Sequence, residues 1–286
     1  METQRQYFAR ALGARGQGRR NGRRGSPQGQ AVTALLEHLE SVRSAGRKIF
    51  VPYLMAGVPD RDTFTALLAC EEADAIEVGL PFSDPLMDGP VIAAAGERAI
   101  ADGIGPLDAI DLVGAAPKGG PLRLAMTYYN PIHRLGEEEF CRRLADAGIS
   151  GLIVPDLPVE ESDSLMEHAG THGLAWVPLV APTSSAERVK KIAATATGFV
   201  YAVSTMGVTG VRESLSERSS RVVEACRVAT DLPVLVGIGV STPEQAFEAA
   251  STADGVVIGS ATVKRAMEEG RAAVETFFKE IRAALG

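Results

Sequence analysis

The stretch Ile76–Pro90, IEVGLPFSDPLMDGP, sets one carboxylate inside an apolar run and three more polar groups in the loop that follows. Burying a carboxylate in an apolar strand is costly unless it faces an open mouth or meets a partner, so Glu77 calls for a functional explanation. Ser83, Asp84 and Asp88 follow in a segment stiffened by Pro81, Pro85 and Pro90. Turn formation and capping account for Ser83 and Asp84 as readily as chemistry does. A carboxyl in apolar surroundings has a raised pKa, which suits a general acid/base working near neutrality. Glu77 and Asp88 are therefore the candidate catalytic pair.

Three glycine-bearing turns cluster late in the chain: GVTG at 207–210, GIGVS at 237–241 and GSA at 259–261. The last two follow apolar runs and lead into helix-like segments, where backbone N–H groups and a helix N-terminus make a phosphate cradle, with Ser260 as a hydroxyl donor. Other chemistries find little support. His168 and His172 are four apart, but HAGTH lacks the glutamate of a zinc-binding H-E-x-x-H, and no metal is expected. His38 and His133 read as surface residues. No Ser-His-Asp or Cys-His order stands out, which argues against nucleophilic hydrolysis. Lysines are scarce in the apolar runs, Lys48 and Lys264 lying outside them, and this counts against a Schiff-base aldolase. Cys70, Cys141 and Cys226 are far apart and in no C-x-x-C pair, so neither disulfides nor a thiolate metal site is expected, and a reducing cytosol fits. Paired carboxylates and a phosphate site remain.

The elements that must position them follow from periodicity. Eight short apolar runs, 49–54, 75–79, 122–128, 151–155, 174–180, 198–204, 232–239 and 254–259, alternate with helix-like segments such as 137–148, 159–173, 216–230 and 242–251. Leu35, Leu36, Leu39 and Val42 add an amphipathic helix before the first run. Eight strand and helix pairs with near-continuous apolar strands predict an α/β fold, a (β/α)8 TIM barrel with an extra N-terminal helix. A doubly wound open sheet is the alternative. It would want G-x-G-x-x-G after the first strand, where the chain has MAGVPD. In a barrel the active site sits at the C-terminal strand ends, where Glu77 and the late glycine turns fall.

Residues 1–30 hold seven arginines against one acid, so the remaining 256 of the 286 residues carry about minus 13 of the net charge of minus 7. Such a body repels nucleic acid, and no apolar run approaches a membrane span. The basic segment is too poor in apolar residues to offset the entropy of ordering. It is expected to be a disordered tail, with a transit peptide or an RNA-binding arm as alternatives, ahead of a single catalytic domain over 31–286.

The motifs IEVGLPFSDPLMDGP, VPYLMAGVPD, MTYYNPI, VPDLPVEE, YAVSTMGVTGVR, GIGVSTPEQ and GSATVK occur in this order from about Val32 onward, and together they closely resemble the tryptophan synthase alpha subunit family. The resemblance implies a cytoplasmic (β/α)8 enzyme of tryptophan biosynthesis. It implies retro-aldol cleavage of indole-3-glycerol phosphate to indole and glyceraldehyde 3-phosphate, with neither metal nor organic cofactor. It assigns proton shuttling to Glu77 and stabilisation of the indolenine cation to Asp88. Tyr201 matches an active-site tyrosine, and Tyr53 with Leu80 is expected to line the indole pocket. Gly210, Gly239, Gly259 and Ser260 match the phosphate cradle, and Thr209 a loop that closes over substrate. Asp84, Pro85 and Asn130 match loops facing the beta subunit of an alpha2beta2 complex, where pyridoxal phosphate resides. Met55 and Val58 stand where the family often has Thr and Asp, and Thr205 and Met206 replace more polar residues. These departures leave open a stand-alone lyase that releases free indole without a beta subunit.

Overall fold

The computed structural model of the chain describes residues 33–203, 215–237 and 239–286. The basic tail of 1–30, the turn at 207–210 with Thr209 and Gly210, and the departures Thr205 and Met206 lie outside the described residues.

The apolar runs form strands β1 (Ile49–Met55), β2 (Ala75–Gly79), β3 (Leu122–Met126), β4 (Gly151–Ile153), β5 (Ala175–Trp176), β6 (Leu179–Val180), β7 (Val200–Val203), β8 (Val234–Gly237) and β9 (Gly255–Ile258). The helices are α1 (Ala34–Ser44), α2 (Arg61–Leu67), α3 (Pro90–Ala101), α4 (Pro106–Ala115), α5 (Tyr129–Leu135), α6 (Glu137–Asp146), α7 (Asp163–Thr171), α8 (Ala186–Ala193), α9 (Leu215–Ala229), α10 (Pro243–Thr252), α11 (Ser260–Glu268) and α12 (Arg271–Leu285). Every strand pair is parallel, in the order β5-β4-β3-β2-β1-β9-β8-β7-β6.

Eight expected strands become nine because the fifth run divides at Val177–Pro178, where proline has no N–H to give to a ladder. The backbone N–H of Val177 donates to Leu152 O at 3.1 Å, and that of Tyr201 donates to Pro178 O at 3.0 Å. One half of the run thus pairs with β4 and the other with β7, and these halves are the two ends of the sheet order. The run closes the sheet, and the barrel expected from periodicity is the fold.

The inside of the lower barrel is filled by Ile49, Val51, Ala75, Leu124, Ile153, Ala175, Val177, Phe199, Leu235 and Val257. Helix α1 seals it. Thr33 caps this helix by accepting from the Leu36 amide at 3.2 Å, and Leu35, Leu39 and Val42 join the same cluster. Complete burial of side chains of this size stabilises by roughly 1.5–3 kcal/mol each. With the lower end filled, the cavity that the described residues enclose within the barrel opens toward the C-terminal strand ends, among the residues singled out by their chemistry.

Candidate active site

Strand alternation turns Ala75, Glu77 and Gly79 to the barrel interior, and the register sets Glu77 level with Tyr53 on β1 and Leu124 on β3. Glu77 is 4% exposed, and its Oε2 has no hydrogen-bond partner. Loss of hydration, reinforced by the Asp88 charge, raises its pKa to about 8. Asp88 lies in the loop between β2 and α3, half-buried, its amide donating to Pro85 O at 3.1 Å. Burial lifts its pKa to about 6, against the pull of a hydrogen bond from the Tyr128 hydroxyl. At neutral pH one of the two carboxyls is thus mainly protonated and the other mainly ionised.

Two tyrosine rings flank this pair by the same device. Tyr53 pairs with Glu77 in the ladder and lies across the next inward position of β2, Gly79. A Cβ there would stand 1.8 Å from the Tyr53 hydroxyl oxygen. Tyr201 pairs with Leu235 and lies across Gly237 of β8, where a Cβ would stand 2.3 Å from Cε1 of the ring. Each glycine leaves the space that lets a large ring lie flat along the wall. The Tyr53 hydroxyl is buried without a partner. Burial, then nearby carboxyls (Asp88 and Glu77 for Tyr53, Glu77 for Tyr201), hold both phenols neutral far above the usual tyrosine range.

These groups line a cavity of about 520 Å3 with Met126, Ile153, Trp176, Ile92 and Gly259 among its other walls. It has the size and the mixture of apolar surface and a few convergent polar groups that small-molecule sites show. At one edge, Gly259 precedes α11 and caps it with no side-chain hydrogen bond, so the leading N–H groups of the helix carry its partial positive charge without a side-chain acceptor from the cap. Ser260, the first residue of that helix, is exposed. Gly239 is half-buried, and its carbonyl accepts from the Ser241 hydroxyl at 3.4 Å.

Leu80 departs from expectation. It is buried and its amide donates to Met126 O at 2.9 Å, yet it is not among the residues lining the cavity. It is the next residue after the inward Gly79, so alternation turns it away from the interior. Met126 supplies apolar wall on the neighbouring strand instead. Met55 and Val58 are buried apolar residues, Met55 reaching toward Gly96 of α3. Asp84 is exposed in the loop after β2 and Asn130 in the first turn of α5, and Pro85 is half-buried; next to Pro85 in the chain Leu86 and Met87 are 88% and 62% exposed. Tyr128, Trp176 and Met126 were not singled out by sequence reasoning. Aromatic and apolar residues in or beside strands carry no signal that separates lining a site from filling a core.

The four histidines form no cluster: among the described residues no group of three or more His, Cys, Asp or Glu is placed to hold a metal ion. The cysteines are buried and free, and burial keeps their thiols protonated, with pKa values pushed up to about 11, 12 and 11 for Cys70, Cys141 and Cys226.

Comparison with known proteins agrees with this geometry. The family model described as tryptophan synthase alpha chain matches residues 39–284. The tryptophan synthase alpha chain of Carboxydothermus hydrogenoformans is 47% identical over 227 residues, covering 78% of this chain and 85% of its own. That of Synechocystis is 44% identical over 264 residues, covering 89% and 100%. Among solved structures, Mycobacterium tuberculosis tryptophan synthase superposes with a TM-score of 0.82 at 39% identity, covering 89% of this chain and 99% of the matched one. The alpha subunit from Legionella pneumophila gives 0.81 at 32% identity, covering 89% and 99%. With a closed parallel barrel, a carboxyl pair at its upper end and this degree of identity over most of its length, the chain belongs to the tryptophan synthase alpha chain family.

Proposed function

We propose that the chain cleaves indole-3-glycerol phosphate to indole and glyceraldehyde 3-phosphate, a carbon–carbon lyase reaction, as the alpha subunit of a tryptophan synthase. The observation that carries this reading is Glu77: a strand carboxyl buried in the cavity wall with Oε2 unpartnered, facing a second carboxyl of lower pKa.

Indole is a poor leaving group until its C3 is protonated. Glu77, mainly protonated near neutral pH, delivers that proton. The ring becomes an indolenine cation, and ionised Asp88 accepts a hydrogen bond from the ring N–H and offsets the positive charge. The Glu77 carboxylate then takes the proton from the hydroxyl on the glycerol carbon bonded to C3. That carbon becomes the aldehyde, and the electrons of the broken bond return to the ring. Glu77 ends as it began, so the step needs no external acid, metal or redox partner. Tyr53, Tyr201 and Trp176 supply the flat apolar walls an indole ring needs. The phosphate belongs at the α11 N-terminus, which Gly259 and Ser260 form; the family resemblance assigns Gly239, Gly210 and Thr209 to the same cradle, the last two lying outside the described residues.

Exposed Asp84, Leu86, Met87 and Asn130, with Pro85, form the surface we assign to a beta subunit. The cofactor chemistry of pyridoxal phosphate belongs to that partner. Among the described residues no helix is long and apolar enough to cross a membrane. The test is indole release from indole-3-glycerol phosphate by the purified chain, alone and with a tryptophan synthase beta subunit. Weak release raised one to two orders of magnitude by the beta subunit is the expected result. Strong release indifferent to it would favour a stand-alone lyase, and no indole in either case would overturn the reading.

A further inference from the structure

Helix α5 starts soon after β3 without a cap of its own, since Tyr128 stands at the capping position and makes no side-chain cap hydrogen bond. A leading helical amide with no acceptor leaves its turn free to fray. Here the acceptor comes from another loop. The Tyr129 amide donates to Oδ1 of Asp156 at 2.9 Å, 27 positions further along, in the segment after β4. A carboxylate suits the place, because it meets the partial positive charge of the leading N–H groups. The far end of the same residue is held too: the Tyr129 hydroxyl donates to Glu137 Oε1 at 2.8 Å, and Glu137 Oε2 accepts from the Ser164 hydroxyl.

The turn that Asp156 holds carries a tether to the loop of Asp88. Tyr128 is buried, and its hydroxyl accepts from the Met87 amide at 2.9 Å, 41 positions away in the chain. Its ring stacks on Phe82, with centroids 5.3 Å apart and planes 30° from parallel. The loop's own bonds, Leu86 N to Asp84 O at 2.9 Å and Asp88 N to Pro85 O at 3.1 Å, only shape its turn. Two hydrogen bonds thus join three loops in series, from Asp156 after β4, through Tyr129 and Tyr128 after β3, to Met87 beside Asp88 after β2.

We infer that Asp156 is a positioning residue for the reaction, its carboxylate fixing the Tyr128–Tyr129 turn and, through the Tyr128 hydroxyl on the Met87 amide, the loop that presents Asp88. This rests on the function proposed above. Asp156 also lines the cavity at an exposed position, so direct contact with substrate is the rival role. The two roles ask different things of the side chain. Holding an amide asks for an acceptor oxygen in the right place, which asparagine keeps; acting on substrate through charge does not survive that change.

Asp156→Ala should lower kcat for indole release roughly three- to tenfold, the worth of one hydrogen bond, with KM changed less than about twofold. Asp156→Asn should stay within about twofold of the native kcat, because its carbonyl oxygen still takes the Tyr129 amide. Tyr128→Phe keeps the stack on Phe82 and removes the hydroxyl; adding Asp156→Ala to it should cost no more than about twofold further, since both act through one tether. A second readout needs no substrate: in 1H–15N NMR spectra the Met87 and Asp88 amide signals should move in Asp156→Ala and stay in place in Asp156→Asn. An asparagine variant as slow as the alanine one, losses that simply multiply in the double variant, or unmoved Met87 and Asp88 signals would overturn the inference. Absence of indole release by the native chain would sink the proposed reaction instead, and the amide signals would still decide the role of Asp156.

Discussion

At the scale of single residues, Glu77 and Asp88 divide the labour through their surroundings. Asp88 must be ionised to hold a cation, so the rate falls as pH drops through about 6; Glu77 must start protonated, so it falls as pH rises through about 8. A pH series of kcat/KM is therefore expected to be bell-shaped, its limbs belonging to the coupled pair and not to either residue alone. A profile flat across this range would remove the pair from the proton chemistry. Glu77→Gln should keep the fold and substrate affinity and reduce turnover at least about 100-fold; single-turnover indole release checks it, and near-native turnover would displace Glu77 as the acid. Glu77 is legible in the sequence because a carboxylate inside AIEVG has no structural use. Tyr128 is not, since in MTYYNPI it is one of two adjacent tyrosines and only a partner 41 positions away tells them apart.

Among the elements, strand register turns an apolar run into a site. Tyr53 on β1 and Tyr201 on β7 each lie over a glycine two positions beyond their ladder partner. Gly237→Ala would drive a methyl group into the Tyr201 ring and push it toward the cavity. We expect KM to rise about tenfold, the size of a 1–2 kcal/mol loss of binding, and Tm to fall by roughly 2–4 °C because the same conflict strains the folded state. An unchanged KM would mean that Tyr201 does not border the substrate. The α11 N-terminus offers a contrasting variant. Ser260→Asp suits the helix dipole and should leave Tm equal or slightly higher, while its charge repels a phosphate and raises KM. Equal affinity in a substrate-binding titration would place the phosphate elsewhere. The strands were legible as apolar runs because a sheet covered on both faces needs them. The break at Pro178 was not, since it depends on which neighbour each backbone group meets, and the outward turn of Leu80 shows only once alternation is carried past Gly79 at the strand end.

For the molecule as a whole, the sequence pattern led to the barrel, and the identity shared with relatives over most of the chain agrees. Removing residues 1–30 should leave kcat, KM and the beta-subunit response unchanged, because every residue named in the candidate site lies beyond them; a loss of activity on trimming would give the segment a role. Cutting past α1 is a different matter, since Leu35, Leu39 and Val42 would leave the lower barrel unsealed. That seal also sets an order of events. α1 precedes the whole barrel in the chain, while Leu235 and Val257, with which it clusters, are among the last strand residues to be made. At ribosomal rates of roughly 5–20 residues per second, the stopper waits on the order of 10–50 seconds for the bottle. Throughout synthesis its apolar stripe has no finished cavity to enter, which makes the nascent chain the form of this protein that chaperones have most reason to meet.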